Sequence, residues 1–293
     1  MLALLTILNK ASGPYWNTLK KQLAQEKVQP LTITVAPSLV AHPISILVLI
    51  LLGMFALPTQ GAFYLFWFGM IIISAIVSIF TILGLLETKF FTTQVIGSLG
   101  FVSSSIFAAI FLKENLNSWT ILSILLAVMG VILFSWKKHD HSINLFAFDR
   151  GMVFTIIAVL LSGLATVLYK FATFHVSGYA QLFTGRFVGD LIGWTTVWLI
   201  VLLVVKKNPA RDLKLMLEKS HGWVFIIGTT VTTFIDAWLI YSLPVTTISI
   251  LGTIAFPIMY FISYFKYKEK ITPFMWLGTL CIVSSIIIFI NFH

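Results

Sequence analysis

Five ionisable side chains, Lys10, His42, Arg186, Asp190 and Asp236, stand inside long apolar runs. An ionised group within a membrane span costs about 2.5–3.5 kcal/mol on insertion scales unless it is paired or wetted. Such residues are therefore kept for work or for pairing. With His neutral they amount to two cations and two anions, a set that suits a zwitterion. Arg186 or Lys10 would meet a carboxylate, and Asp190 or Asp236 an ammonium group. Asp190 and Asp236 are also the carboxylates where a proton would compete with substrate, which makes the proton the candidate coupling ion.

At about 1.5 Å per residue, Lys10, Arg186 and Asp236 come out about 10–12 Å from the face that carries both termini, and His42 and Asp190 about 17–18 Å. Each has a plainer reading beside the functional one. Arg186 and Asp190, one turn apart, can neutralise each other as an i, i+4 pair. Asp236 can bridge to Lys10 or Arg186, and Lys10 can snorkel to the membrane surface. His42 precedes Pro43, where a broken helical hydrogen bond would call for a local polar partner. Neutral groups add to the candidate site: Gln94 with Ser98, Ser103, Ser104 and Ser105 in one span, and Thr247, Ser249 and Thr253 in another. Trp194 and Trp238 share helices with the charges and could stack on a cationic group. Trp16, Trp67, Trp119, Trp136, Trp223 and Trp276 lie nearer span ends, as an interfacial belt requires.

The elements that must position these residues follow from composition. The 293 residues are 59% apolar and 10% charged, where soluble domains carry about 25% charge. Ten helices of about 20 residues leave no room for a soluble domain. The single cysteine, Cys281, excludes a disulfide framework and a thiolate metal cluster. No phosphate-binding Gly-Lys-Ser/Thr loop or His-Glu-x-x-His run is present, so neither an enzyme nor a cofactor or metal site is expected. The formal charge of +9 points to orientation and anionic headgroups rather than to nucleic acid.

Ten apolar segments read as spans: 2–19, 31–54, 62–86, 90–112, 118–136, 152–170, 179–204, 222–242, 245–265 and 273–291. The first is broken by Lys10, Gly13 and Pro14, and reads as a kinked or interfacial helix. It lacks the basic leader and cleavage site of a signal peptide. Lys206 to Ser220 alternates Leu213, Leu215, Met216 and Leu217 with charges, the pattern of a short helix lying on headgroups. Gly185, Gly189 and Gly193 form a small-residue stripe that lets another helix approach closely, with Arg186, Asp190 and Trp194 on the adjacent stripe. Fifteen of the nineteen Lys and Arg residues fall on the odd-numbered connections. The positive-inside rule then puts both termini outside the cytoplasm, with a bacterial inner membrane the expected location.

The chain also repeats itself. At an offset of 155, Thr92, Gly97, Phe101 and Glu114 match Thr247, Gly252, Phe256 and Glu269. At an offset of 150, Ser12, Gly13 and Lys20 match Ser162, Gly163 and Lys170. Five spans per half is odd, so the second copy would run inverted, as in alternating-access carriers. The repeats are residues 1–138 and 151–293, joined by a linker at 139–150. Each half closes on a Glu, a polar turn and a final span: Phe111-Leu112-Lys113-Glu114-Asn115 before Ser118 to Trp136, and Tyr267-Lys268-Glu269-Lys270 before Phe274 to Asn291. Asn117 or Ser118, and Thr272 with Pro273, are suitable N-cap and N1 residues, so the Glu pair reads as organising helix ends.

This arrangement resembles the EamA domain of the drug/metabolite transporter superfamily, duplicated in a ten-helix all-α chain. The resemblance implies an inverted five-plus-five repeat, a central cavity, and export or exchange of small organic metabolites. The polar first span and the orientation of the termini depart from the family's pattern. The expected function is a secondary carrier of a small polar or zwitterionic metabolite such as an amino acid. The alternatives are a carrier of nucleotide-like or phosphorylated metabolites, and a lipid scramblase or membrane scaffold. The expected partners are the substrate, membrane lipids and protons, with monomer and homodimer both open.

Overall fold

The computed structural model describes residues 1–87, 93, 96–97, 99–135, 150–205, 209–255, 257–258, 264–265 and 273–292. Among these, every regular element is helical. In chain order they are α1 (Leu2–Ala11), α2 (Gly13–Gln25), α3 (Pro30–Leu51), α4 (Gly61–Glu87), α5 (Gly100–Phe111), α6 (Ser118–Ser135), α7 (Arg150–Thr173), α8 (Tyr179–Val205), α9 (Pro209–Leu217), α10 (Ser220–Ser242), α11 (Val245–Leu251), a 3-10 turn (Gly252–Ile254) and α12 (Pro273–Phe292). Four of them, α3, α4, α7 and α10, are long and apolar enough to cross a bilayer. The chain is an integral, multi-pass membrane protein.

Local chemistry sets the helix ends. The first expected span divides at Ser12, whose amide and Oγ both turn back onto the Asn9 carbonyl at 3.2 and 2.7 Å. Pro14 then occupies the first turn of α2, where its missing N–H is harmless. Pro30 opens α3 in the same way. At the far end of α3, Gly53 takes φ +66°, and the Met54 amide reaches the Leu49 carbonyl at 2.8 Å, a left-handed closure that glycine favours. Asn117 caps α6, its Oδ1 accepting from the Thr120 amide at 2.7 Å.

The helices cluster as two compact units. One comprises Met1–Tyr15, Leu83–Gly163 and Pro244–His293. Within it α12 lies along α6, where a Cβ on Gly130 would stand 2.8 Å from the Gly278 carbonyl oxygen and Ser285 Oγ donates to the Ser123 carbonyl at 2.7 Å. Gly163 admits α5 so closely that a Cβ there would be 2.7 Å from the Ser103 carbonyl carbon. Small residues at such crossings are what close helix packing in lipid requires.

The other unit comprises Trp16–Ile82 and Leu164–Leu243. Here α3 is central, packed by α8, α9 and α10. Its core gathers Leu19, Leu23, Val28, Ile33, Ala36, Ile82, Met216, Phe225 and Ile226. This corrects the expectation for Lys206–Ser220. Residues 206–208 lie outside the described residues, and Met216 of α9 is wholly buried, with Leu213, Leu215 and Leu217 packed against that core. The apolar side of α9 is covered by protein, so its alternation reflects docking on α3 rather than a headgroup surface.

Candidate functional site

The second unit assembles its polar residues around α8. Gly185, Gly189 and Gly193 recur every four residues along it, and α4 answers in the same rhythm with Phe63, Trp67 and Ile71. A Cβ on Gly185 would stand 2.7 Å from Phe63 Cζ, one on Gly189 2.5 Å from Trp67 Nε1, and one on Gly193 would overlap the Ile71 Cδ1 methyl. The glycines thus seat three large side chains of α4 in the groove of α8. Trp67 is held there at 2% exposure, stacked on Phe63 at 5.2 Å between centroids. The sequence reading put Trp67 in the interfacial belt; it is instead a buried wall of the site.

One residue round the helix from each glycine stand the charges. Arg186 Nε lies 3.0 Å from Asp190 Oδ2, close enough for a strong ion pair, yet the Nε–H is not aligned for a hydrogen bond. The guanidinium sits 5.0 Å from the Trp67 ring and 4.7 Å from the Tyr169 ring. Those two rings meet edge to face at 5.0 Å. Such placement over two π faces holds a cation where water is scarce. The pair is exposed unequally, 15% for the Arg186 side chain against 3% for Asp190, with Arg186 Nε itself buried.

Among the described residues, several buried polar atoms nearby have no hydrogen-bond partner: Trp67 Nε1, the Tyr169 hydroxyl, Asp190 Oδ1 and both ring nitrogens of His42. Trp67 Nε1 is near the Asp190 carboxylate without the alignment of a bond. The large majority of buried side-chain polar atoms are paired, so the concentration of these on α3, α4, α7 and α8 marks this place out. Asp236 of α10 is half-buried and within electrostatic reach of Arg186 and Tyr169. His42 meets the Phe187 ring edge to face at 5.0 Å. Phe187 continues into Phe234 and Phe183, whose rings stack at 4.1 Å.

The unit therefore brings together Arg186, Asp190, Asp236 and His42 from the sequence candidates. Trp194 is buried on α8 and Trp238 half-buried on α10, but the rings on the guanidinium are Trp67 and Tyr169. Lys10 belongs to the other unit, with its side-chain stem beside Gly252. Gln94 lies outside the described residues, as does Glu269. Glu114 does organise a helix end, though not the expected one. Its Oε1 accepts from the Val245 amide at 2.7 Å, and its Oε2 from the Thr246 amide at 2.9 Å and the Thr246 hydroxyl at 2.7 Å, so it caps α11. Lys113, in the left-handed region at φ +55°, turns the chain just before it. Sequence reasoning also missed Lys170, next to Tyr169, whose Nζ donates to the carbonyls of Ile240, Tyr241 and Leu243 at 2.6, 3.3 and 3.0 Å. It closes the C-terminus of α10. The available signal was its match to Lys20 in the repeat.

The comparisons with known proteins bear on this architecture. One solved crystal structure of a protein is similar over 98% of this chain and 94% of its own, with a TM-score of 0.64 and 9% identity. That likeness speaks for the fold alone. No curated protein matches the chain. Residues 4–136 match the EamA-like transporter family, a family of membrane transporters in the drug/metabolite transporter superfamily. The match covers a little less than half of the 293-residue chain.

Proposed function

We propose that this protein is a secondary carrier of a small zwitterionic metabolite of the amino-acid class, bound at Arg186 and Asp190. The observation that carries the reading is the buried Arg186–Asp190 pair within a Trp67–Tyr169 cage, of which Arg186 is the more exposed member. A carboxylate would meet that guanidinium and the donors Trp67 Nε1–H and Tyr169 O–H. An ammonium group would meet Asp190 Oδ1, with Asp236 in reach. A ligand that supplies both charges leaves the net charge of the site unchanged, so neither charge of the protein pair is stranded in a low dielectric.

In this reading the ten spans form two inverted five-helix repeats, 1–138 and 151–293 joined at 139–150, and rock about the site in alternating access. The repeat matches at offsets of 150 and 155 support it. Asp190 and Asp236 are the carboxylates that protons would use if transport is proton-coupled. The termini lie outside the cytoplasm and the protein resides in a bacterial inner membrane.

Uptake of labelled amino acids into proteoliposomes tests the reading. Arg186→Gln and Asp190→Asn should each abolish uptake while the protein still elutes as a monodisperse species. Loss of folded protein in both single variants, with recovery in a double variant that removes both charges, would make the pair structural and overturn the proposal. So would proteoliposomes that move no water-soluble metabolite but equilibrate lipid between leaflets.

A further inference from the structure

The charges of a zwitterion account for Arg186 and Asp190 but not for His42. This imidazole is 2% exposed, and among the described residues neither Nδ1 nor Nε2 has a hydrogen-bond partner. Its ring contact is the edge-to-face approach to Phe187, the neighbour of Arg186 on α8, so it faces the same helix as the ion pair from α3. Pro43, immediately after it within α3, cannot donate an amide to the Leu39 carbonyl, which adds a backbone acceptor one turn away. The imidazole packs on an aromatic row, Phe187 backed by Phe234 and Phe183. A wall meant only for an apolar substituent would be finished with another apolar residue. A buried imidazole at its far end makes sense if a guest supplies what the protein does not.

A neutral imidazole carries one N–H donor and one acceptor nitrogen. The two nitrogens point to opposite sides of the ring, so a guest meets one of them, and the group that answers whichever it meets must be able both to accept and to donate. A hydroxyl or a primary carboxamide does this; a methyl, an ammonium or a carboxylate does not. We propose that His42 is the specificity-determining residue of the site, selecting zwitterions whose side chain ends in a hydroxyl or carboxamide over their apolar isosteres. This deepens the carrier reading and rests on it.

Isosteric pairs test the proposal: threonine against valine, and asparagine against leucine, as labelled substrates in proteoliposomes. The wild type should favour the polar member of at least one pair by about a hundredfold or more in kcat/KM, because a site built to hydrogen-bond a group rejects the analogue lacking it. His42→Leu should bring that ratio close to one, mainly through a raised KM for the polar member, and His42→Gln should restore part of it. His42→Leu should also unfold no earlier than the wild type, since removing an unpartnered buried polar group leaves no orphan behind. Equal handling of both members by the wild type, a ratio that survives His42→Leu, or unfolding of His42→Leu at a clearly lower temperature would overturn the proposal while leaving the carrier reading standing. Failure of the wild type to move any zwitterion would overturn both.

Discussion

Gly189→Ala is the most informative single perturbation, because two opposing effects of known size meet there. In a helix interior the change is intrinsically favourable by about 1 kcal/mol. Against it, the new Cβ would stand 2.5 Å from Trp67 Nε1 and 2.7 Å from Cδ1, where non-bonded carbon atoms prefer about 3.5–4 Å. The indole must retreat by about 1 Å. It cannot swing aside, with Phe63 stacked behind it, Tyr169 edge-on and Arg186 over its face. Overpacking of this kind costs about 1–3 kcal/mol, so the net loss of stability is only about 0–2 kcal/mol. Function responds more steeply, since a displacement of about 1 Å in a positioning group can cost about a hundredfold in rate.

The expected signature is therefore a Tm within a few degrees of wild type, with uptake of the transported zwitterion down at least about tenfold. Gly61→Ala, where a Cβ meets nothing within 4 Å, should change neither. Gly193→Ala should fall between, because the atom in its way is the end of a flexible Ile71 side chain. If Gly189→Ala shows wild-type uptake and a raised Tm, helix propensity alone has acted, and the reasoning about α4 seating Trp67 against α8 is wrong.

Lys170→Met removes a cation bonded to three carbonyls and should lower stability by roughly 2–4 kcal/mol, with Lys170→Arg milder; thermal unfolding in detergent measures both. Glu114→Ala strands two amides and a hydroxyl at the start of α11 and should cost about 2 kcal/mol, against about 1 kcal/mol for Glu114→Gln, which keeps one acceptor oxygen. Lys113→Gly relieves a side chain held at positive φ and should raise stability by up to about 1 kcal/mol. An unchanged or lowered Tm for that variant would mean that the positive φ at Lys113 stores no strain that glycine relieves.

The helices were legible in the sequence wherever an apolar run ended in Pro, Asn or charge, because end chemistry is local: Pro30 and Asn117 act within a few residues of themselves. The Arg186–Asp190 pair was legible for the same reason, its partners being one turn apart. What escaped was reached through space. Trp67 reads as an interfacial residue until the four-residue rhythm of Phe63, Trp67 and Ile71 is set against that of Gly185, Gly189 and Gly193, and nothing in either segment alone names the other as its partner. Tyr169 and Lys170 sit together at the end of an apolar helix, the usual place for an interfacial tyrosine and a flanking cation. Their roles depend on an aromatic ring 102 positions away and on carbonyls about 70 positions away. The amphipathic pattern of α9 was seen correctly and its partner was not, since protein and lipid present the same apolar surface to a helix.

The passage from α10 to α11 has a consequence for how the sequence can vary in length. Only Leu243 and Pro244 separate the two helices, and both exposed ends are closed from outside, by Lys170 on one side and Glu114 on the other. Each helical residue advances the rotational phase by about 100°. One residue inserted in the first turn of α11 would carry the Val245 and Thr246 amides out of register with Glu114, and one inserted in the last turn of α10 would carry its carbonyls off Lys170. Most connections in a membrane protein tolerate insertions because water satisfies whatever backbone they expose. Here side chains do that work at each helix end, so an added residue in either end turn would leave backbone groups without the partner they have now.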